Sequence, residues 1–224
     1  MKKSMQSSLI CLLFMVTSIA TVTAKNLPPF EKILVTGNVS ILLIEGPAER
    51  MDIKNNAELL EYEVEGQTLK LSSKNLIKYN KQPTIKVAIT YQQIREIKAR
   101  AGASVYSDNT IEAEALQLRF SSGASGELIV STKSIEVGIS EGGTLELQGV
   151  TNFLEAKAVT GGTLSAYDLD SQSTVVRTNT GGSAKIVAYE DLDATAKTGG
   201  SIAYKGAPKK VRTKDGLSGS IKEY

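Results

Sequence analysis

The chain has 224 residues and a mass of 23.9 kDa, with 26 Lys and Arg against 24 Asp and Glu, no His, no Trp and one Cys. Without an imidazole or a set of thiols it has no histidine general base and cannot build the usual zinc, copper or haem site, so oxygen-ligated Ca²⁺ or Mg²⁺ is the metal chemistry its composition permits. The length suits one domain with a sizeable core, and aromatic residues at only 5% leave that core to small and β-branched aliphatic side chains.

Residues 1–24 read as a secretory signal peptide. Lys2 and Lys3 form the basic start, Leu9 to Val16 the apolar stretch, and Val22-Thr23-Ala24 a small-residue site for cleavage before Lys25. The apolar run is too short, and too diluted by Ser and Thr, to cross a ~30 Å hydrocarbon core, and no later segment approaches spanning length. Cys11 lies inside that run after Ile10, a poor context for lipid attachment, so the exported chain is expected to have neither thiol nor disulfide. Loss of Lys2 and Lys3 lowers the basic count from 26 to 24 against 24 acids, a formally neutral chain that gives no charge signal for nucleic acid or an anionic membrane. An exported location follows, whether periplasm, outer-membrane surface or extracellular space.

After a short tether at 25–29, residues 30–96 alternate in strand fashion: Ile33/Val35, Val39/Ile41/Leu43, Met51/Ile53, Tyr62/Val64, Leu69/Leu71 and Ile85/Val87/Ile89. Breaks fall at Gly46-Pro47, Asn55-Asn56, Glu65-Gly66 and Gln82-Pro83. This part is expected to form irregular first coils or a cap.

From 97 to 224 a phrase recurs: Ala101-Gly102-Ala103-Ser104, Ser122-Gly123-Ala124-Ser125, Glu141-Gly142-Gly143-Thr144, Thr160-Gly161-Gly162-Thr163, Thr180-Gly181-Gly182-Ser183, Thr198-Gly199-Gly200-Ser201, and a degenerate Leu217-Ser218-Gly219-Ser220. Its second residues fall at 102, 123, 142, 161, 181, 199 and 218, spacings of 21, 19, 19, 20, 18 and 19. Five and three residues before that position, and three and five after it, the residues are mostly apolar, so each unit is strand, glycine corner, strand and short return. A period of about 20 residues built from short strands predicts an all-β, right-handed parallel β-helix, a β-solenoid whose coils stack at about 4.8 Å. A leucine-rich repeat lacks its Leu/Asn consensus here. A β-sandwich of hairpins remains open, because alternation does not fix strand direction.

The sequence resembles the putative auto-transporter adhesin, head GIN domain family of Bacteroidetes-type bacteria. The resemblance rests on Phe30-Glu31-Lys32-Ile33-Leu34-Val35-Thr36-Gly37-Asn38-Val39-Ser40-Ile41, then Ile44-Glu45-Gly46 and Gly66-Gln67-Thr68-Leu69-Lys70-Leu71, followed by the glycine coils. One departure is Gly37-Asn38-Val39 in place of the eponymous Gly-Ile-Asn order. The resemblance implies a β-helical fold, export and no catalytic site.

Two constellations are candidate binding sites. Four residues before each corner stand Lys98, Arg119, Gly138, Lys157, Arg177, Thr195 and Lys214, which stacking would turn into a cationic stripe suited to acidic glycans, with Lys157 and Arg177 at its centre. The bland alternative is a solvated strand face whose long side chains discourage edge pairing. The second constellation is Tyr167, Asp168 and Asp170 with Tyr189, Asp191 and Asp193 in successive return segments, a calcium or sugar patch with aromatic platforms if the coils bring them together, and otherwise a polar turn. A hydroxyl ladder at Ser104, Ser125, Thr144, Thr163, Ser183, Ser201 and Ser220 has no recurring base beside it and is expected to serve backbone groups at the corner. The chain therefore reads as a non-enzyme with no cofactor, binding envelope or host glycans or a surface protein. A carbohydrate-active enzyme or calcium-dependent binding module using the acidic returns is the alternative. Open solenoid ends make end-to-end or edge association of copies a further expectation.

Overall fold

The computed structural model describes residues 23–74 and 83–224, so the signal peptide expected at residues 1–24 lies outside them apart from its last two residues. Among the described residues the regular structure is strand, save for one 3-10 turn at Ala57–Leu59. No helix there is long and apolar enough to cross a membrane. The strands in chain order are β1 (Thr23–Asn26), β2 (Lys32–Thr36), β3 (Val39–Glu45), β4 (Arg50–Ile53), β5 (Leu60–Glu65), β6 (Thr68–Ser73), β7 (Ile85–Tyr91), β8 (Glu96–Arg100) and β9 (Ser104–Ser107). Four long strands follow, β10 (Ile111–Ser121), β11 (Ser125–Ile139), β12 (Thr144–Val159) and β13 (Thr163–Asn179). The chain ends with β14 (Ser183–Val187), β15 (Asp191–Ala196), β16 (Ser201–Lys205), β17 (Lys210–Asp215) and β18 (Ser220–Glu223).

From β8 onward every pairing is parallel and joins a residue to the one about 19 positions on, as in Leu118↔Val137, Val137↔Ala156 and Ala194↔Thr213. That is a β-solenoid of about seven coils, the architecture the repeat predicts, and it removes the hairpin sandwich. Each coil has one arm before the glycine corner and one after it. The pre-corner pairs Leu118/Phe120, Val137/Ile139, Ala156/Ala158, Val176/Thr178 and Ala194/Ala196 are all buried, as are Leu145/Leu147, Leu164/Ala166 and Ala184/Ile186 after it.

The corner divides its labour between two residues. Glu141, Thr160 and Thr180, each followed by Gly142, Gly161 or Gly181, all have φ between 50° and 73°, so the chain turns on two consecutive left-handed residues, of which glycine takes the second without steric cost. The next residue points inward under the preceding coil. A Cβ on Gly162 would lie 2.6 Å from the carbonyl oxygen of Ile139, which explains why the phrase carries two glycines there.

A second bend, lacking glycine, closes the coil on the far side. Alternation breaks at Thr132-Lys133-Ser134-Ile135, Thr151-Asn152-Phe153-Leu154 and Ser171-Gln172-Ser173-Thr174, where two outward residues separate two buried ones. The buried hydroxyls satisfy one another: Thr132 Oγ1 donates to Thr151 Oγ1 at 2.9 Å, and Ser171 Oγ lies 2.9 Å from Thr174 Oγ1, which donates to the carbonyl of Val187. Spacing differences are absorbed locally. The 20-residue coil starting at Gly161 takes its extra residue as a bulge, because Glu146 pairs with Ser165 but Gln148 with Asp168.

The amino-terminal part joins the same stack. β2 and β3 flank Gly37 and pair in parallel with β8 and β9, so Lys32–Glu45 forms a coil whose Ile33, Val35 and Ile41 lie in register with Ile97, Ala99 and Val105. Below it the direction changes: β4 runs antiparallel to β7, β1 to β4, and β5 to β6. Residues 25 and 26, expected as part of a tether, pair with Met51 and Arg50, and Lys25 Nζ donates to the Tyr62 hydroxyl at 2.7 Å.

Candidate functional site

The cationic stripe exists as a column. Successive registers place Lys98 beside Arg119, Arg119 beside Gly138, Gly138 beside Lys157, Lys157 beside Arg177, Arg177 beside Thr195 and Thr195 beside Lys214. Two residues earlier on the same face runs an acidic column that the sequence reading did not weigh: Glu96, Gln117, Glu136, Glu155, Val175 and Asp193. The columns interlock. Lys98 pairs with Glu96 at 2.5 Å, Arg177 with Glu155 at 3.4 Å, and Arg119 with Glu136. The hydrogen bond from the Arg119 guanidinium, followed by that from Gln117, holds the Glu136 carboxyl below the usual carboxylate range. These exposed pairs contribute little to stability, but they cancel much of the stripe's field.

Lys157 and Lys214 are the exceptions. Lys157 has no ion pair among the described residues, and it stands beside Gly138 at a shallow notch of about 280 Å³ in this face, lined by Arg119, Phe120, Gly138, Ile139 and Lys157. Arg119 lies across this gap, its Cδ 2.8 Å from where a Gly138 Cβ would stand. An anionic group entering the notch would meet Lys157 directly and Arg119 in competition with Glu136.

The return-segment acids do not form one site. Asp168 and Asp170 lie on the post-corner arm, opposite Gln148 and Val150, whereas Asp191 and Asp193 lie beyond the second bend, opposite Ser173 and Val175. Asp191 faces Lys210 at 3.8 Å and Asp193 faces Arg212 at 3.5 Å. Among the described residues no group of three or more acidic side chains could hold a metal ion. The bend between Ser171 and Thr174 is what separates them, and sequence spacing alone does not show it.

Two local contacts survive from that constellation. The Tyr189 hydroxyl donates to Asp170 Oδ1 at 2.9 Å, a bond that raises the phenol pKa because ionisation would set two negative charges together. Tyr167 sits in the bulge with Lys205 Nζ 4.2 Å and Lys185 Nζ 5.9 Å from its ring centroid, so its face is already occupied by cations. The hydroxyl ladder points outward, and within it only Ser104 and Ser125 hydrogen-bond to each other, at 2.9 Å. Hydroxyls that bond the backbone recur at the second bend, in Thr151, Ser171 and Thr174, and the repetition of Thr132, Thr151 and Ser171 was the available signal.

Sequence reasoning also missed a cleft of about 390 Å³ at the cap, between β5 and the first coils, lined by Leu34, Tyr62, Lys70, Ser72 and Arg100. It exists because β5 folds back on β6 instead of continuing the stack.

The model of the putative auto-transporter adhesin, head GIN domain family matches residues 29–208. The chain belongs to this family. Among solved structures, a putative adhesin from Bacteroides fragilis superposes with a TM-score of 0.81 at 21% identity, covering 91% of this chain and 96% of that one. A putative adhesin from Parabacteroides distasonis gives 0.73 at 18% identity, and a putative lipid binding protein from the same species gives 0.66 at 19%, each over 91% of this chain and 96% of its own. At such identities these likenesses carry the fold and nothing finer. A search of functionally curated proteins finds no match.

Proposed function

We propose that this family member is an exported, non-catalytic protein of the cell envelope or surface that binds acidic glycans through the pre-corner face of its solenoid. One observation supports this above all: the in-register cationic column opens at Gly138, and the cation at its rim, Lys157, has no acid of its own among the described residues. A charged sugar approaching this face meets a row of cations repeating at the coil spacing, about 4.8 Å, which suits repeated weak contacts along a chain better than capture of one small molecule. The divided acids of the return segments support neither a calcium site nor a pair of catalytic carboxylates.

The test is an array of acidic and neutral glycans probed with the purified protein, with and without Ca²⁺, alongside the Lys157→Glu/Arg177→Glu variant. Binding confined to acidic glycans, weakened by salt and lost in the variant, is the expected result. Binding that survives the double reversal, or that requires Ca²⁺, overturns this placement of the site.

A further inference from the structure

The two ends of the pre-corner stack carry opposite charge. At the amino-terminal end the outermost strand is β5, paired on one side with β6 and on the other with nothing among the described residues. Its outward side chains are Glu61, Glu63 and Glu65. At the carboxy-terminal end the outermost strand is β17, paired with β15 alone, and its outward side chains are Lys210, Arg212 and Lys214. Such an open edge offers a row of unpaired backbone groups, a template for another strand, and proteins avoiding that outcome usually shorten, bend, cover or charge it; here the two edges carry opposite charge, which opposes pairing of like ends and leaves pairing of unlike ends open. Here both edges are six residues long, and all six residues of β17 are exposed.

We infer that the protein assembles head to tail, the β5 edge of one copy pairing antiparallel with the β17 edge of the next. The direction follows from the topology. Both β17 and β6 belong to the parallel stack, and β5 runs against β6, so β5 set against the β17 edge of another copy, with the stack continued, meets it in antiparallel sense.

The register follows from the columns. Thr68 of β6 stands in the column that runs through Lys32, Glu96 and Gln117 to Asp193 and Arg212, and Glu65 is its partner on β5. Lys70 likewise stands in the column that ends at Lys214, and its partner on β5 is Glu63. Continuing the columns across the junction therefore sets Glu65 opposite Arg212 and Glu63 opposite Lys214. One-residue slippage would turn the charged side of one strand toward the core side of the other, so the alternation enforces this register.

The existing partners fit the same scheme. Arg212 has Asp193 on its inner side at 3.5 Å and solvent on the other, with 73% of its side chain exposed. Glu63 and Glu65 share the single cation of Lys70, so this edge has more acid than base, and their side chains are 65% and 70% exposed. Lys214 has no ion pair among the described residues. On the inner side Val211, 46% exposed, and Val64, half-buried, come to lie diagonally across the seam. A junction between unlike ends cannot close on two copies, so the product is an open filament with the cationic column of each solenoid continued by the next.

Sedimentation of the protein purified from cells expressing the whole 224-residue chain tests this, over a concentration series at low and high salt. The expected result is open-ended association that grows with concentration and recedes with salt. Arg212→Glu/Lys214→Glu and Glu63→Lys/Glu65→Lys, each verified as folded by circular dichroism, are each expected to weaken association about tenfold or more, since two cross-strand attractions become repulsions. Mixing the two variants restores complementary ends, acid head to base tail and base head to acid tail, and so restores assembly. A wild-type chain that stays monomeric to about 1 mM, a closed symmetric dimer, or a mixture that fails to reassemble overturns the proposal.

Discussion

Gly126 faces inward in the column Val105–Gly126–Leu145, and the space its side chain would take is filled by the ring of Phe120, which is wholly buried. A Cβ at 126 would stand 2.6 Å from both Cε1 and Cζ of Phe120 and 2.9 Å from Leu145 Cδ1. Ordinary carbon contacts lie near ~3.5–4.0 Å, so Gly126→Ala forces the ring to move by roughly 1 Å in a core with little slack. Overpacking of that kind costs about 1–3 kcal/mol. At roughly 2–4 °C per kcal/mol for a chain of this size, the melting temperature is expected to fall by about 4–8 °C for a cost near 2 kcal/mol. Phe120→Leu on its own leaves a partial cavity and destabilises as well, by less than the ~3–5 kcal/mol of a full Phe→Ala truncation. Combined, the two changes offset each other, because the added methyl enters the space the ring has left. Urea unfolding of the four proteins followed by circular dichroism gives the coupling directly, expected in the range of about 0.5–3 kcal/mol with the double variant more stable than the sum of the singles implies. Strict additivity to within about 0.3 kcal/mol, or an unchanged midpoint in Gly126→Ala, would refute the claim that ring and glycine share one volume.

Other expectations follow from the corner, the core and the second bend. At the Thr160–Thr163 corner, Gly161 has φ of 72° and open space around it whereas Gly162 faces the Ile139 carbonyl, so Gly161→Asn is expected to be tolerated far better than Gly162→Asn in thermal melts; equal losses would contradict the division of labour. Tyr91 is 2% exposed, its hydroxyl lacks a hydrogen-bond partner among the described residues, and burial, then the Glu45 charge, pushes its pKa from 10.0 up to about 12. The folded protein thus keeps a proton that the unfolded chain gives up, so the stabilisation holds in full below pH 10.0 and declines as pH rises toward about 12. Ultraviolet titration should show Tyr91 ionising last, behind Tyr189 and the other tyrosines whose pKa is raised, and Tyr91→Phe should abolish that last step and raise stability by about 1 kcal/mol by removing an unpartnered hydroxyl. Thr174→Val leaves the Val187 carbonyl without its hydroxyl donor and is expected to cost about 1–3 kcal/mol, with urea midpoints as the check.

The repeat was legible because each coil must pass the same two points: a corner that only glycine turns easily, and an inward slot that only a small residue fits. Those demands write Gly142-Gly143, Gly161-Gly162 and Gly181-Gly182 into the chain at near-constant spacing. Membership of the cationic column was legible for the same reason, since register follows from the corners. Its neutralisation was less so, because Glu136 and Glu155 are read as partners only when the adjacent outward position is followed as a column too. Whether the two acidic returns meet was not legible, because alternation alone does not show that the chain turns at Ser171-Gln172-Ser173-Thr174. That bend has no glycine or proline to mark it, only hydroxyls that pair inside the core. Strand direction in the cap was beyond reach of alternation: β5 and β6 show the same pattern whether they run together or opposed.

The bulge at Ala166-Tyr167 shows how such a chain can change over generations. A gain of one residue in this coil shifts nothing beyond it, because Thr174, Val176 and Thr178 still meet Leu192, Ala194 and Ala196. Errors in copying that insert or drop a residue, normally ruinous for a sheet, are confined here to a single outward loop. Gain or loss of a whole coil is gentler still, for it leaves both ends as they were and alters only how far apart they stand. Lineages can therefore tune reach by duplication while the two end strands and the face between them are inherited intact.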